Sequence, residues 1–422
     1  MLQRDPLGRA VFAGEPLVDL LGRAACPTPC YVYDLGAMAA EARALAAGFD
    51  DAPHLVAYAV KANSAGPVVR ALAAAGCGCE VGSAAELELA LASGVAPRAI
   101  LFSGVAKSDA ELDHAIGGDI LAIQLDSVGE VARVRARAVA AGRRARVTLR
   151  VNPDVEADTH AHIATGHGEA KFGIALGDLP EAWAELARAP ELELCGLGGH
   201  VGSQLVSTDA YLRAAERLFE LVREREREHG PLELVDLGGG FGIDYGQGCP
   251  VRPADFARGI RRLAARMGLG PRRLVVEPGR ALVGPFGVLV AGVLATKRSY
   301  AQRWLMIDAG MNDLLRPALY GARHRVEALD AATGSARATY RVVGPVCESA
   351  DDFGAFELPD PPPARVLIRD AGAYGYTMAS HYNGRALPAE IFVGRGGALS
   401  VGRTGSAADW VRSRVDVPSP PL

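Results

Sequence analysis

From about residue 29 to residue 283 the chain alternates short β-branched apolar runs with alanine- and leucine-rich segments of helical period, the pattern of repeated βα units. The runs are Cys30-Tyr-Val-Tyr33, Val56-Ala-Tyr-Ala-Val60, Ala99-Ile-Leu-Phe102, Ala122-Ile-Gln-Leu125, Val147-Thr-Leu-Arg-Val151, Leu194-Cys-Gly-Leu197, Leu234-Val-Asp-Leu237 and Leu274-Val-Val-Glu277. Some eight strands over about 250 residues is the arithmetic of a (β/α)8 TIM barrel. A doubly wound open sheet would give a similar pattern, and the order of elements does not by itself exclude it. Between the runs, Ser83 with Glu86 three residues on predicts a capped helix that ends near Gly94.

After Val283 the texture changes to strand-rich segments: 288–293, 304–307, 338–343, 364–368 and 398–401. The expectation is a barrel over 29–283 and a mainly antiparallel β domain over 284–415, joined by the N-terminal segment 1–28, with 416–422 as a frayed tail. Pro359-Asp-Pro-Pro-Pro363 can only be an extended surface turn in that second domain.

The 422 residues are 49% hydrophobic and 22% charged, with a formal net charge of -4. Both signs are mixed along the chain, so nothing steers it toward nucleic acid or an anionic membrane, and a small molecule or another protein is the expected partner. The N-terminus does not read as a secretory signal, and the longest apolar stretch, Val283 to Ala295, is short and broken by Pro285. A cytoplasmic location follows as the default. The seven cysteines form no C-x-x-C knuckle, so reduced, mostly buried thiols are expected rather than disulfides or a metal site.

Lys61 ends the apolar run that begins at His54. Desolvation there would disfavour its charge and make it a nucleophilic amine, which points to a Schiff base with pyridoxal phosphate; an ordinary lysine snorkelling from a strand end is the plainer alternative. Gly238-Gly-Gly-Phe-Gly242 follows a strand and can wrap backbone N–H groups around a phosphate, although glycine runs also serve merely as tight turns. Glu277-Pro-Gly-Arg280 sets a carboxylate and a guanidinium at a strand end, where the carboxylate could keep a pyridine nitrogen protonated. His200-Val-Gly-Ser-Gln204 leaves an imidazole accessible between glycines, suited to stacking on an aromatic cofactor, with no companion ligands at metal spacing.

These motifs, with Lys171-Phe-Gly173, Met311-Asn-Asp-Leu-Leu-Arg-Pro-Ala-Leu-Tyr320, Cys347-Glu-Ser349 and Asp370-Ala-Gly-Ala-Tyr-Gly375, resemble in order the fold-type III pyridoxal-phosphate decarboxylases, the diaminopimelate decarboxylases most closely. The resemblance spans nearly the whole chain and implies an alanine-racemase-like barrel with a C-terminal β domain. It further implies that Lys61 forms the Schiff base, His200 stacks on the ring and Glu277 pairs with the ring nitrogen. Ser203, Gly239, Gly240, Gly279, Arg280 and Tyr374 would hold the phosphate, and Glu80 stands in a cofactor-facing segment. Cys347 would act across a homodimer interface as the acid that follows loss of carbon dioxide. Arg280, Arg316 and Tyr320 would clamp the substrate's far carboxylate and Glu348 its far ammonium, with Tyr374 beside them.

Four positions depart from the family pattern: Glu80 where aspartate is usual, Gly198 where a second histidine is usual, Ala350 followed by Asp351 where glycine is common, and Asp244 where small residues or proline are frequent. They leave open a related decarboxylase that acts on another acidic amino acid, one attached to a carrier protein included. An amino-acid racemase is a further alternative, since it would share the barrel and the lysine.

Overall fold

The computed structural model describes residues 2–153, 172–330, 336–402 and 406–416; Lys171 and the tail from residue 417 lie outside the described residues. Two compact units are present, one made of residues 39–243 and 249–282, the other of residues up to 38, 244–248 and from 283 onward.

In the first unit eight parallel strands close into a barrel in sequence order: His54–Ala59, Gly78–Val81, Ile100–Phe102, Ala122–Leu125, Ala145–Arg150, Leu192–Gly198, Leu234–Asp236 and Arg273–Val276, the last pairing back onto the first through Leu274 and His54. One layer of the interior is apolar, with Ala57, Leu101, Ala122, Cys195, Leu234 and Val275 packed together. Each of the larger side chains here, Leu101, Leu234 and Val275, contributes about 1.5–3 kcal/mol relative to remaining exposed. Buried polar groups, Glu80, Gln124, Thr148 and Asp236, sit on the same strands.

Two strands differ from the reading of the sequence. Cys30–Asp34 is not a barrel strand; it pairs with Gly287–Ser299 and Ala389–Val393 in the other unit. Like a barrel strand it is followed by a helix, Leu35–Ala47, and local pattern does not say which sheet a strand will join. Its place in the barrel is taken by Gly78–Val81, whose Gly-Cys-Glu-Val sequence carries no apolar run. The helix expected after Ser83 spans Ala84–Ala92, and the Ser83 hydroxyl accepts from the Glu86 amide. The Glu86 carboxylate bonds the Gly82 amide rather than closing a box on Ser83.

The second unit is a mixed, mainly antiparallel sheet of nine strands with Gly287–Ser299 at its centre. Cys30, Val32, Val288, Val290, Leu367 and Ile391 pack with Leu17, Leu20 and Leu21, the i, i+3, i+4 face of the helix Leu17–Ala24. Asp352–Pro359 and Ala389–Val393 are strands that the pattern did not indicate; Pro359, expected to open a surface turn, instead ends the first of them, and residues 360–363 follow it as a bend. No described helix is long and apolar enough to cross a membrane.

The barrel also holds a buried ion pair. Lys107, with a fully buried side chain, donates to both Glu130 carboxylate oxygens at 3.1 Å and to the Gln124 carbonyl at 2.6 Å. Removing one partner strands a charge in a low dielectric, so Glu130→Ala should cost about 3–5 kcal/mol in chemical denaturation. The double substitution Lys107→Met with Glu130→Leu should recover much of that loss; equal stability of the single and double variants would contradict the account.

Candidate active site

Lys61 leaves the strand His54–Ala59 in a 3-10 turn, Val60–Ala62. Its Nζ donates to Glu80 Oε2 at 2.9 Å, and its side chain is 57% exposed. The desolvation expected for this lysine is therefore not a property of the chain itself. Its amine is reachable, and a buried carboxylate holds it in place. Glu80 also accepts from the Ser103 hydroxyl at 2.8 Å. Burial works to raise the Glu80 pKa, but the Lys61 ammonium, the hydrogen bonds from Lys61 and Ser103, and the charge of Arg150 hold it below the ordinary value. The extra methylene of glutamate at this position spans the distance to both partners.

Glu277 follows the last barrel strand, Arg273–Val276, and Ser103 Oγ lies 3.4 Å from its Oε1. Its carboxyl is pushed well above the usual range by burial, then by the charges of Asp236 and Glu80. Asp236 ends the strand Leu234–Asp236 and is fully buried. Its Oδ1 accepts from the Gly238 amide at 3.0 Å and its Oδ2 from Gln124 Nε2 at 3.1 Å. Burial raises it as well, to about 6. Gly198 makes room for this arrangement: a Cβ there would lie 2.6 Å from Gln124 Nε2, so the residue that departs from the family pattern is the one that admits the glutamine.

His200 follows the strand Leu192–Gly198, and its Nδ1 accepts from the Gly239 amide at 3.2 Å. Burial, with Arg150 and Lys61 nearby, lowers its pKa to about 3, so the ring is neutral and offers an uncharged face. Gly240 has φ +94, and a Cβ on it would meet the Gly202 carbonyl oxygen at 2.1 Å, so the loop is closed to any side chain. Arg280, at the start of the short helix Arg280–Val283, donates to Ser203 Oγ at 3.0 Å. Bare glycine backbone, a hydroxyl and a guanidinium form the donor set a phosphate requires. With a reachable amine for a carbonyl and a proton-holding carboxyl for a ring nitrogen, these residues fit pyridoxal phosphate.

The barrel thus brings together Lys61, Glu80, His200, Ser203, Gly239, Gly240, Glu277, Gly279 and Arg280. Sequence reasoning missed Asp236, Gln124, Ser103 and Arg150. The available signal was a lone acidic residue inside Leu234-Val-Asp-Leu237 and a lone amide inside Ala122-Ile-Gln-Leu125.

The remaining candidates lie in the other unit. Arg316 is 6% exposed, with Nη1 2.7 Å from His324 Nε2 and its guanidinium over the Tyr245 ring at 4.9 Å. Tyr320 closes the same short helix, Arg316–Tyr320, and is exposed. Glu348 accepts from the Tyr382 hydroxyl, and the Cys347 amide donates to Asn383 Oδ1 at 2.9 Å. Of the seven free cysteines only Cys347 is exposed. Tyr374 has a left-handed backbone, φ 55. Two departures have structural roles here. Asp351 accepts from the Met311 and Val346 amides at 2.6 and 2.7 Å, tying the Met311 segment to the one bearing Cys347. Asp244 caps the Gly246 and Gly248 amides.

The chain is similar to known proteins over most of its length. The family model for the pyridoxal binding domain of the pyridoxal-dependent decarboxylases matches residues 35–284. The diaminopimelate decarboxylase of Zymomonas mobilis is 39% identical over 399 residues, 92% of this chain and 93% of that protein. The structure of diaminopimelate decarboxylase from Helicobacter pylori complexed with L-lysine gives a TM-score of 0.88 at 32% identity, over 93% of this chain and 98% of that one. The structure from M. jannaschii in co-complex with L-lysine gives 0.92 at 30% identity, over 99% and 98%. With that family model matching more than half of the chain and a relative 39% identical over nine-tenths of it, the chain belongs to the pyridoxal-dependent decarboxylase family.

Proposed function

We propose that the protein decarboxylates meso-diaminopimelate to L-lysine and carbon dioxide, as a cytoplasmic homodimer with pyridoxal phosphate as cofactor. The observation that carries the reading is the meeting of the reachable Lys61 amine with Glu80 and the proton-holding Glu277 in one barrel. The diaminopimelate decarboxylases that it resembles over nine-tenths of its length support the substrate.

Pyridoxal phosphate, when bound, supplies a carbonyl for the amine and an electron-poor ring that accepts the electron pair left as the α-carboxylate departs as carbon dioxide. The chain's own residues would do the rest. Lys61 offers the amine that a substrate amine replaces, and Glu80 orients it and can take up or return its proton. His200 covers one ring face without adding charge. Glu277 holds a proton at the ring nitrogen, which keeps the ring able to accept electrons. The glycine amides, Ser203, Arg280 and Tyr374 would anchor the phosphate. The Cys347 thiol would hand a proton to the α-carbon after decarboxylation, and its exposure within its own chain suits a group that serves a partner's site. Arg280, Arg316 and Tyr320 would bind the far carboxylate and Glu348 the far ammonium.

Three measurements test this reading. In a panel of meso-diaminopimelate, lysine, ornithine, arginine, glutamate and an aminoacyl carrier protein, carbon dioxide should be released from meso-diaminopimelate; turnover of another substrate with diaminopimelate inert would reassign the Arg316 and Glu348 roles. Lys61→Ala should reduce decarboxylation to background and remove the visible absorption of the bound cofactor. His200 titrates at about 3 in the folded chain against about 6.5 when unfolded. The unfolded state therefore binds more protons between those values, so this group's stabilisation is complete above about pH 6.5 and is lost as pH falls toward 3. A His200 imidazole NMR signal with a midpoint near 6.5 would contradict it.

A further inference from the structure

We propose that Asp236 is a positioning residue of the cofactor site, sharing one proton with Glu277 and so fixing both the orientation of the Glu277 carboxyl and the charge it presents to a pyridine nitrogen. The inference rests on the reading of Glu277 as the partner of that nitrogen.

The geometry carries the argument. Asp236 is fully buried, and both its oxygens already accept hydrogen bonds, from Gly238 and from Gln124. Its strand pairs with Arg273–Val276 at Val275, and the Glu277 amide donates to the Gly238 carbonyl at 2.9 Å, which sets the two carboxyls beside one another at adjacent strand ends, where each acts on the other's protonation. Both Asp236 oxygens already face donors, so a proton shared by the pair is held by Glu277. Two carboxylates in contact inside a protein do not both ionise. The surroundings agree with one retained proton: the carboxylates of Asp236, Glu277 and Glu80 face the two cations Lys61 and Arg150, with the Tyr211 phenol and the Ser103 hydroxyl as the other polar neighbours.

The arrangement is also built in from outside. Gln124 aims its side-chain amide at Asp236 because position 198 has no side chain, and the main-chain carbonyl of Gln124 accepts from the buried Lys107 ammonium, which anchors the strand at that residue. A neutral ring nitrogen placed against Glu277 would accept the proton from its carboxyl, leaving a carboxylate and a pyridinium; no other bond forms or breaks. With Asp236 behind it, the pyridinium is then stabilised by two negative groups rather than one.

The test uses the full chain in two forms. In the cofactor-free protein with 13C-carboxyl glutamate, the Glu277 signal, identified by its loss in Glu277→Gln, should titrate well above the ordinary carboxylate range. In Asp236→Asn it should fall by at least about one pH unit, a tenfold drop in proton affinity. In the holoenzyme loaded with 15N-pyridoxal phosphate, the ring nitrogen should lose its proton at least about one unit lower in Asp236→Asn than in the parent, and kcat should fall about tenfold with KM changed less than twofold. An unchanged Glu277 titration in folded Asp236→Asn overturns the inference and leaves the Glu277 reading intact. An unchanged 15N signal in Glu277→Gln overturns the Glu277 reading itself. Should Asp236→Asn fail to fold, Gln124→Leu leaves both carboxylates in place. Loss of its donor should move the shared proton toward Asp236 and lower the Glu277 midpoint, and no shift there also counts against the proposal.

Discussion

Closure of eight parallel strands is the constraint on which the barrel unit depends. Because every strand runs the same way, the chain leaves each one at the same end, and residues far apart in sequence are delivered to one rim. Lys61, Glu80, Ser103, Arg150, His200, Asp236 and Glu277 come from seven strands or the turns after them, and the return pairing of Arg273–Val276 onto His54–Ala59 puts the last of these beside the first. The same closure sorts the interior. Leu101, Cys195 and Val275 fill an apolar layer, which lets the polar layer be dense in charge without carrying the stability of the fold.

That density has a direction. Burial and the charges of Asp236 and Glu80 push the Glu277 carboxyl toward its protonated form, while His200, two strands away around the barrel, is held toward its neutral form. Burial drives both effects and acts oppositely on acids and bases, since it disfavours whichever form is charged. One environment therefore yields a neutral imidazole and a protonated carboxyl, without separate devices for each.

Much of this was legible in the sequence. Residues that announce themselves by contrast, such as Lys61 after an apolar run, His200 between glycines and Glu277 before Pro-Gly-Arg, were found because their surroundings are locally unlike them. Asp236 and Gln124 were missed because a polar residue within a short strand is ambiguous until the facing strand is known, and their partner across the barrel is more than a hundred residues away. Gly78–Val81 was missed, and Cys30–Asp34 placed in the wrong sheet, for the same reason: pairing partners are a property of the closed structure rather than of the run. The burial expected for Lys61 was wrong in kind, since its strand is buried but its side chain extends beyond the strand end.

The missing side chain at Gly198 has a consequence for how such a site can change over time. A side chain there would displace the Gln124 amide, 2.6 Å from the Cβ position, and shortening Gln124 first would leave Asp236 with the Gly238 amide alone of its two donors. Each position bears on the next, so 124, 198 and 236 should change together more often than separately among relatives. A histidine at 198 in one lineage and a glycine in another would then mark two separately consistent interiors.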